Sequence, residues 1–273
     1  MVLTSPLTLD QEYKQIAIKT REKISSDPKR CEKIARDLKN RADDLFRKND
    51  PESKYRRAFE YQTAAQILES LAANSQGARK MKLYRESGLL FHFSAHAFRK
   101  EEEYRWAEDA YMNSGSCFEK LLREANRSNS GGIEEACANA IRAYSRAKGV
   151  YGEVGDYDRS GQAYLREQVL RKNLLLKTNF WKGLLFVVWG TLTGYGESVP
   201  RWLLGYILGV LVFAITRVML GEGLVPAFFV SFERSLLISD SQGNKVLFLM
   251  QIAYSYFILG LGLTLIVRKM QSR

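Results

Sequence analysis

His92 and His96 stand four residues apart, a spacing that puts both imidazoles on one helical face, as a two-histidine metal site needs. No glutamate lies between them in the HExxH pattern and no third ligand is close in sequence, so they are expected to pack or face solvent. The chain carries no P-loop, GxSxG, GxGxxG or cysteine-based metal spacing. Two histidines leave little for general acid–base work, and Tyr195 and Glu197 form no recognised catalytic pair. Neither an enzyme nor a cofactor is expected.

Cys31, Cys117 and Cys137 are scattered and odd in number, which argues for a reducing compartment and against a disulfide scaffold. The N-terminus has neither a basic nor an apolar signal region, so the first part of the chain is expected in the cytoplasm. Polarity then divides the sequence. From Thr178 to Arg273 there are eight of the 41 Lys and Arg and four of the 30 Asp and Glu, leaving 33 and 26 in residues 1–177. Basic and acidic residues are interleaved in that first part, the signature of a solvated helical surface. No nucleic-acid partner is expected, although a basic face can also sit against an anionic membrane.

Residues from about 8 to 175 read as helix almost throughout. Alanine, Leu, Arg, Lys and Glu dominate, and Pro6, Pro28 and Pro51 suit helix ends or first turns. Breaks fall at 49–51, 73–77, 128–132 and 152–156. A pattern repeats. Ala42, Leu45 and Phe46 precede a polar turn, then Tyr55, Ala58, Tyr61, Ala64 and Ala65. Ala95, Ala97 and Phe98 precede Lys100–Glu103, then Tyr104, Ala107, Ala110 and Tyr111. Ala143, Tyr144, Ala147 and Tyr151 precede Gly155-Asp156, then Tyr157, Ala163 and Tyr164. Tyr55, Tyr104 and Tyr157 are separated by 49 and 53 residues. Small residues let paired helices approach while aromatics fill the space beside them, and stacked hairpins bury a core through neighbour contact.

The stretch from Ala147 through Gly155-Asp156-Tyr157 to Ala163-Tyr164 resembles a tetratricopeptide repeat. Its longer helices are similar to the soluble-attachment-protein variety, over roughly residues 30–175. The usual Trp, Leu-Gly and terminal Pro positions are not well matched. The resemblance implies a scaffold that grips a peptide or protein. A plain helical bundle is the alternative.

The last third reads as a membrane unit. Residues 202–220 are apolar apart from Arg217, and residues 246–267 carry no charge. Each is long enough to cross a hydrocarbon core of about 30 Å at about 1.5 Å per residue. Basic residues flank the pair, while the intervening 221–245 loop has no positive excess. The positive-inside bias places both termini in the cytoplasm. Residues 180–193 and 224–238 are too short to span, and read as an interfacial or re-entrant helix and a helix between the spans.

Span, short helix, span resembles the two-transmembrane ion-channel family. Gly194-Tyr195-Gly196-Glu197, with Pro200 and Arg201, resembles the GYGE-x-P-x-R signature that precedes the first span in prokaryotic proteins joining a repeat domain to such a unit. This resemblance covers about residues 180–270 and implies a homo-oligomer, a tetramer by analogy. Thr193–Gly196 also resembles a potassium selectivity filter, but no span precedes it. The position where that family has its filter holds Ser239–Asn244 instead, so potassium selectivity does not carry over. Glu233 or Asp240 could form a cation-attracting ring in an oligomer.

The expectation is therefore all-α: a cytoplasmic repeat-like domain over 1–177, an interfacial linker over 178–201, and a two-span unit over 202–273 in the lipid bilayer. It would bind a protein or peptide partner and pass ions as an oligomer, or serve as a non-conducting anchored scaffold.

Overall fold

The computed structural model describes residues 6–48, 51–128, 131–193, 199–236 and 245–271. Among them every regular element is an α-helix, in the order α1 (Pro6–Glu22), α2 (Pro28–Lys48), α3 (Pro51–Ala73), α4 (Gly77–Lys100), α5 (Tyr104–Arg127), α6 (Ile133–Glu153), α7 (Tyr157–Thr178), α8 (Phe180–Thr193), α9 (Val199–Met219), α10 (Leu224–Ser235) and α11 (Lys245–Gln271). The chain forms two compact units, Met1–Leu174 and Leu175–Arg273.

In the first unit Pro6, Pro28 and Pro51 each open a helix, where the missing N–H would have had no intrahelical partner anyway. Asp27 and Asp156 cap the helices that follow them, accepting from the N–H groups of Arg30 and Arg159 at 3.0 Å. Gly155 ends the α6 turn with φ +78, and Glu102 holds the equivalent left-handed position before α5 with φ +60.

Neighbouring helices run antiparallel and very close. Buried Ser87 and Ser94 of α4 donate to the carbonyls of Ala65 and Ala58 in α3, at 2.8 and 2.9 Å. Ser114 of α5 donates to that of Gly88 in α4 at 2.8 Å. The glycines act as sockets: a Cβ at Gly88 would meet the Phe118 ring at 3.0 Å, and one at Gly115 the Tyr144 ring at 2.7 Å. Small residues on one helix thus seat an aromatic from the next.

Ion pairs then tie each helix to the next but one. Arg79 reaches Glu32 at 2.8 Å, Lys120 reaches Glu69 at 2.6 Å, Arg99 reaches Glu153 at 2.7 Å, and Arg85 pairs with Glu135. The partners lie 47, 51, 54 and 50 residues apart. These separations match the tyrosine spacing, so the helical hairpins repeat in space as they do in sequence. The repeat is not strict. Tyr104 and Tyr157 open their helices, whereas Tyr55 lies a turn inside α3.

In the second unit α8, α9, α10 and α11 fall on the four apolar stretches. Among the described residues no helix is long and apolar enough to cross a membrane. The two spans expected at 202–220 and 246–267 are therefore not found among the described residues. α10 runs back along α9 and also packs on α11, with a small core of Tyr206, Val210 and Ile258 and Tyr254 against it.

Candidate partner and membrane surfaces

α2, α4 and α6 share one surface of the first unit, because the odd-numbered helices lie behind them. Between α2 and α4 this surface opens into a groove of about 310 Å³. Leu89 and Phe93, one helical turn apart on α4, form its apolar wall at 40% and 49% exposure. Arg36, Lys39, Asn40 and Glu86 form its rim. The Phe93 ring leans on Tyr61 with centroids 5.9 Å apart, and Tyr61 donates to Asp43 at 2.6 Å. Phe93 is therefore held in place from beneath while its outer face stays open.

His92 does not act with His96. Its Nε2 accepts from Nη1 of Arg146 at 2.6 Å, which fixes the neutral form and uses the lone pair a metal would need. Burial, then the charge of Arg146, push its pKa down to about 4. Among the described residues no three His, Cys, Asp or Glu side chains cluster to hold a metal ion.

The helices of the opposite surface, α3, α5 and α7, carry three buried carboxylates, Glu60, Glu108 and Glu167. Glu167 is paired with Lys148 at 3.2 Å and Arg171 at 2.7 Å. Glu108 has Arg159 at 3.6 Å, and its Oε2 has no hydrogen-bond partner among the described residues. Burial, then the neighbouring Asp109, push the Glu108 pKa up to about 7. A larger groove of about 650 Å³ lies between α5 and α7, with Lys120, Arg123 and Arg166 among its walls.

The second unit is apolar outside and polar where its helices meet. Tyr254 of α11 donates to the Gly205 carbonyl of α9 at 2.7 Å. Tyr206 Oη and Ser235 Oγ lie 2.5 Å apart, and Gln251 donates to the Ser231 carbonyl of α10 at 2.6 Å. Arg217 is buried and its Nη1 contacts both oxygens of Glu222, at 3.0 and 3.2 Å. Outside lie Leu204, Val212, Ile215, Met219, Phe229 and Leu249, all more than half exposed.

Glu233 is exposed on α10, beside the polar seam rather than within it. Asp240, Gly194, Tyr195, Gly196 and Glu197 lie outside the described residues. The backbone of Pro200 and Arg201 belongs to the first turn of α9. Sequence reasoning missed Leu89 and Phe93. Their signal was a pair of large apolar residues out of phase with the core positions Leu83, Ser87, Leu90, Phe91 and Ser94. It also missed Gly205-x3-Gly209, a small-xxx-small pattern that marks close helix packing in apolar helices.

No family model matches the chain, and neither a curated protein nor a solved structure matches it.

Proposed function

We propose that this chain is a membrane-anchored interaction protein. Its helical-hairpin unit grips a segment of a partner protein, and its second unit holds that grip at the bilayer. One observation carries the reading. Large apolar side chains lie exposed in number on α8–α11, including Trp181 at 74% and Met219 at 82%, while hydrogen bonds such as Tyr254 to the Gly205 carbonyl and Gln251 to the Ser231 carbonyl join the helices within. Water disfavours such a surface and lipid accepts it. The apolar stretches at 202–220 and 246–267 have the length of two spans, and the flanking charge supports cytoplasmic termini. The groove beside Leu89 and Phe93 suits a peptide carrying one large apolar residue. Carbonate extraction of membranes from cells expressing the full chain tests the anchor. Retention in the pellet, with release only by detergent, is expected; release into the supernatant would end this reading.

The placement of α10 favours a second reading, ion passage by an oligomer. A twelve-residue helix folded between two longer ones resembles the outer helix, pore helix and inner helix of two-transmembrane channels. Glu233, with Asp240, would then attract cations at the mouth. The absence of Thr-x-Gly-Tyr-Gly at 239–244 leaves potassium selectivity out of this reading. Planar-bilayer recording of the purified oligomer separates the two: cation current reduced by Glu233→Gln supports conduction, and silence leaves the scaffold.

A further inference from the structure

We infer that the groove between α5 and α7 is a second docking surface, one that takes a helical segment of a partner protein with acidic residues beside apolar ones. The claim goes beyond the grip at Leu89 and Phe93, which lies on the opposite surface. The groove, of about 650 Å³, exists because a brace is missing. Between α3 and α5 the Lys120 ammonium crosses to Glu69 at 2.6 Å. The spacing of the tyrosine repeat puts Phe118 and Asn173 where those two residues would recur on α5 and α7. They cannot form an ion pair, so the gap between α5 and α7 stays open.

Its walls hold a surplus of positive charge. Among the described residues that line it, Lys120, Arg123 and Arg166 are cationic and Glu119 alone is acidic. Glu119 reaches Arg123 at 3.5 Å, and Lys120 is held by Glu69. Arg166 is held differently. Its Nη1 donates to the Tyr144 hydroxyl at 3.1 Å, and its guanidinium carbon lies 5.6 Å from the centre of that ring. Tyr144 is fully buried and seated against Gly115, so a neutral partner positions Arg166. Planar guanidinium groups such as these suit carboxylates. Val169 is exposed in the same wall, beside Leu122 and Leu165. A nucleic acid would leave that apolar strip uncovered, whereas a helix with Leu on one face and Glu on its flanks meets both chemistries. The α5 wall, from Ser116 to Asn126, runs about 15 Å, room for about three helical turns. α1, which packs on α3, shows the mode: it buries Leu9, Tyr13 and Ala17, one side chain per turn.

The test is fluorescence anisotropy with the purified full chain and a labelled amphipathic peptide of about 15 residues, Leu along one face and Glu along its flanks. A control peptide has Gln for every Glu. Wild type should bind the Glu peptide about tenfold more tightly than the Gln peptide, and added salt should erase the difference. Arg123→Gln with Arg166→Gln should remove most of that advantage, while Lys at both positions should keep it. Val169→Ser should weaken both peptides. Arg123 is exposed, so Arg123→Gln alone, at an unchanged melting temperature, should still cost about twofold to fivefold. Phe93→Ser should leave this binding untouched; loss with that variant would assign the peptide to the groove between α2 and α4 and overturn the inference. It is overturned equally by a wild type that binds neither peptide or both alike, by an advantage that survives the double Gln variant, or by a single-stranded oligonucleotide that binds as well as the Glu peptide.

Discussion

The Tyr254 hydroxyl donates to the backbone carbonyl of Gly205, and the Tyr254 ring lies across Gly209 one helical turn further on. Two glycines on α9 thus form a shelf for one tyrosine of α11. A Cβ at Gly209 would overlap the tyrosine hydroxyl and ring. Gly209→Val is expected to separate α9 from α11 and lower the melting temperature of the detergent-solubilised chain sharply. Tyr254→Phe should cost only about 0.5–1.5 kcal/mol, the net worth of one hydrogen bond. Tyr254→Ala should partly rescue Gly209→Ala, because it removes the group the new methyl meets. Strict additivity in that double-mutant cycle would count against the shelf.

Glu102 occupies the left-handed position that Gly155 occupies in the next hairpin. A residue with a side chain is disfavoured there by about 1–2 kcal/mol, and the greater freedom of unfolded glycine returns part of that. Glu102→Gly should therefore stabilise the first unit by roughly 0.5–1 kcal/mol. Hydrogen exchange of the α4 and α5 amides gives the readout: slower exchange is expected, and faster exchange would show that Glu102 makes a compensating contact.

Glu108 and His92 set opposite pH dependences on the first unit. The folded pKa of Glu108 is raised to about 7, so the folded state binds more protons than the unfolded state between the ordinary carboxylate range and pH 7. Its contribution is full in acid and is lost as pH rises through 7. Glu108→Gln mimics the protonated form. Its stability relative to wild type should rise between pH 5 and pH 8, by about 1–3 kcal/mol. His92 is depressed to about 4; its contribution is full above its ordinary pKa and is lost as pH falls towards 4. Denaturant midpoints across pH 4–8 for wild type, Glu108→Gln and His92→Gln resolve the two slopes.

Much of this architecture is legible in the sequence. Helix breaks follow from Pro, Gly and Asn, whose backbone preferences act locally. The hairpin repeat follows from small residues and aromatics at helical spacing, as Gly115 and Tyr144 show. The groove is harder to see, because Phe93 and Phe91 are alike in type. Only the packed position of α3 decides that Phe91 is core and Phe93 is open. Glu108 and Asp109 look like ordinary surface charges until α7 covers the first of them. The polar contacts of Tyr206, Gln251 and Tyr254 depend on how three helices cross, which hydropathy does not encode.

Leu89 and Phe93 give a fourth prediction. Both are exposed, so Phe93→Ser should leave the melting temperature within about 0.5 kcal/mol of wild type in equivalent stability, as surface substitutions do. It should nevertheless weaken binding of an apolar-anchored peptide, measured by fluorescence anisotropy with a labelled peptide library. Loss of stability without loss of binding would move Phe93 from the binding surface to the core.

The pairs from each helix to the next but one run along both outer surfaces of the first unit: Arg79–Glu32 and Arg99–Glu153 on one, Lys120–Glu69 and Arg159–Glu108 on the other. An interior helix is thus braced from both directions, while α1 and α7 are the end helices of the row within the first unit. Such an array erodes from its tips. Heat or protease should fray α1 and α7 first, and α4, clasped by α2 and α6, should be the last helix to melt.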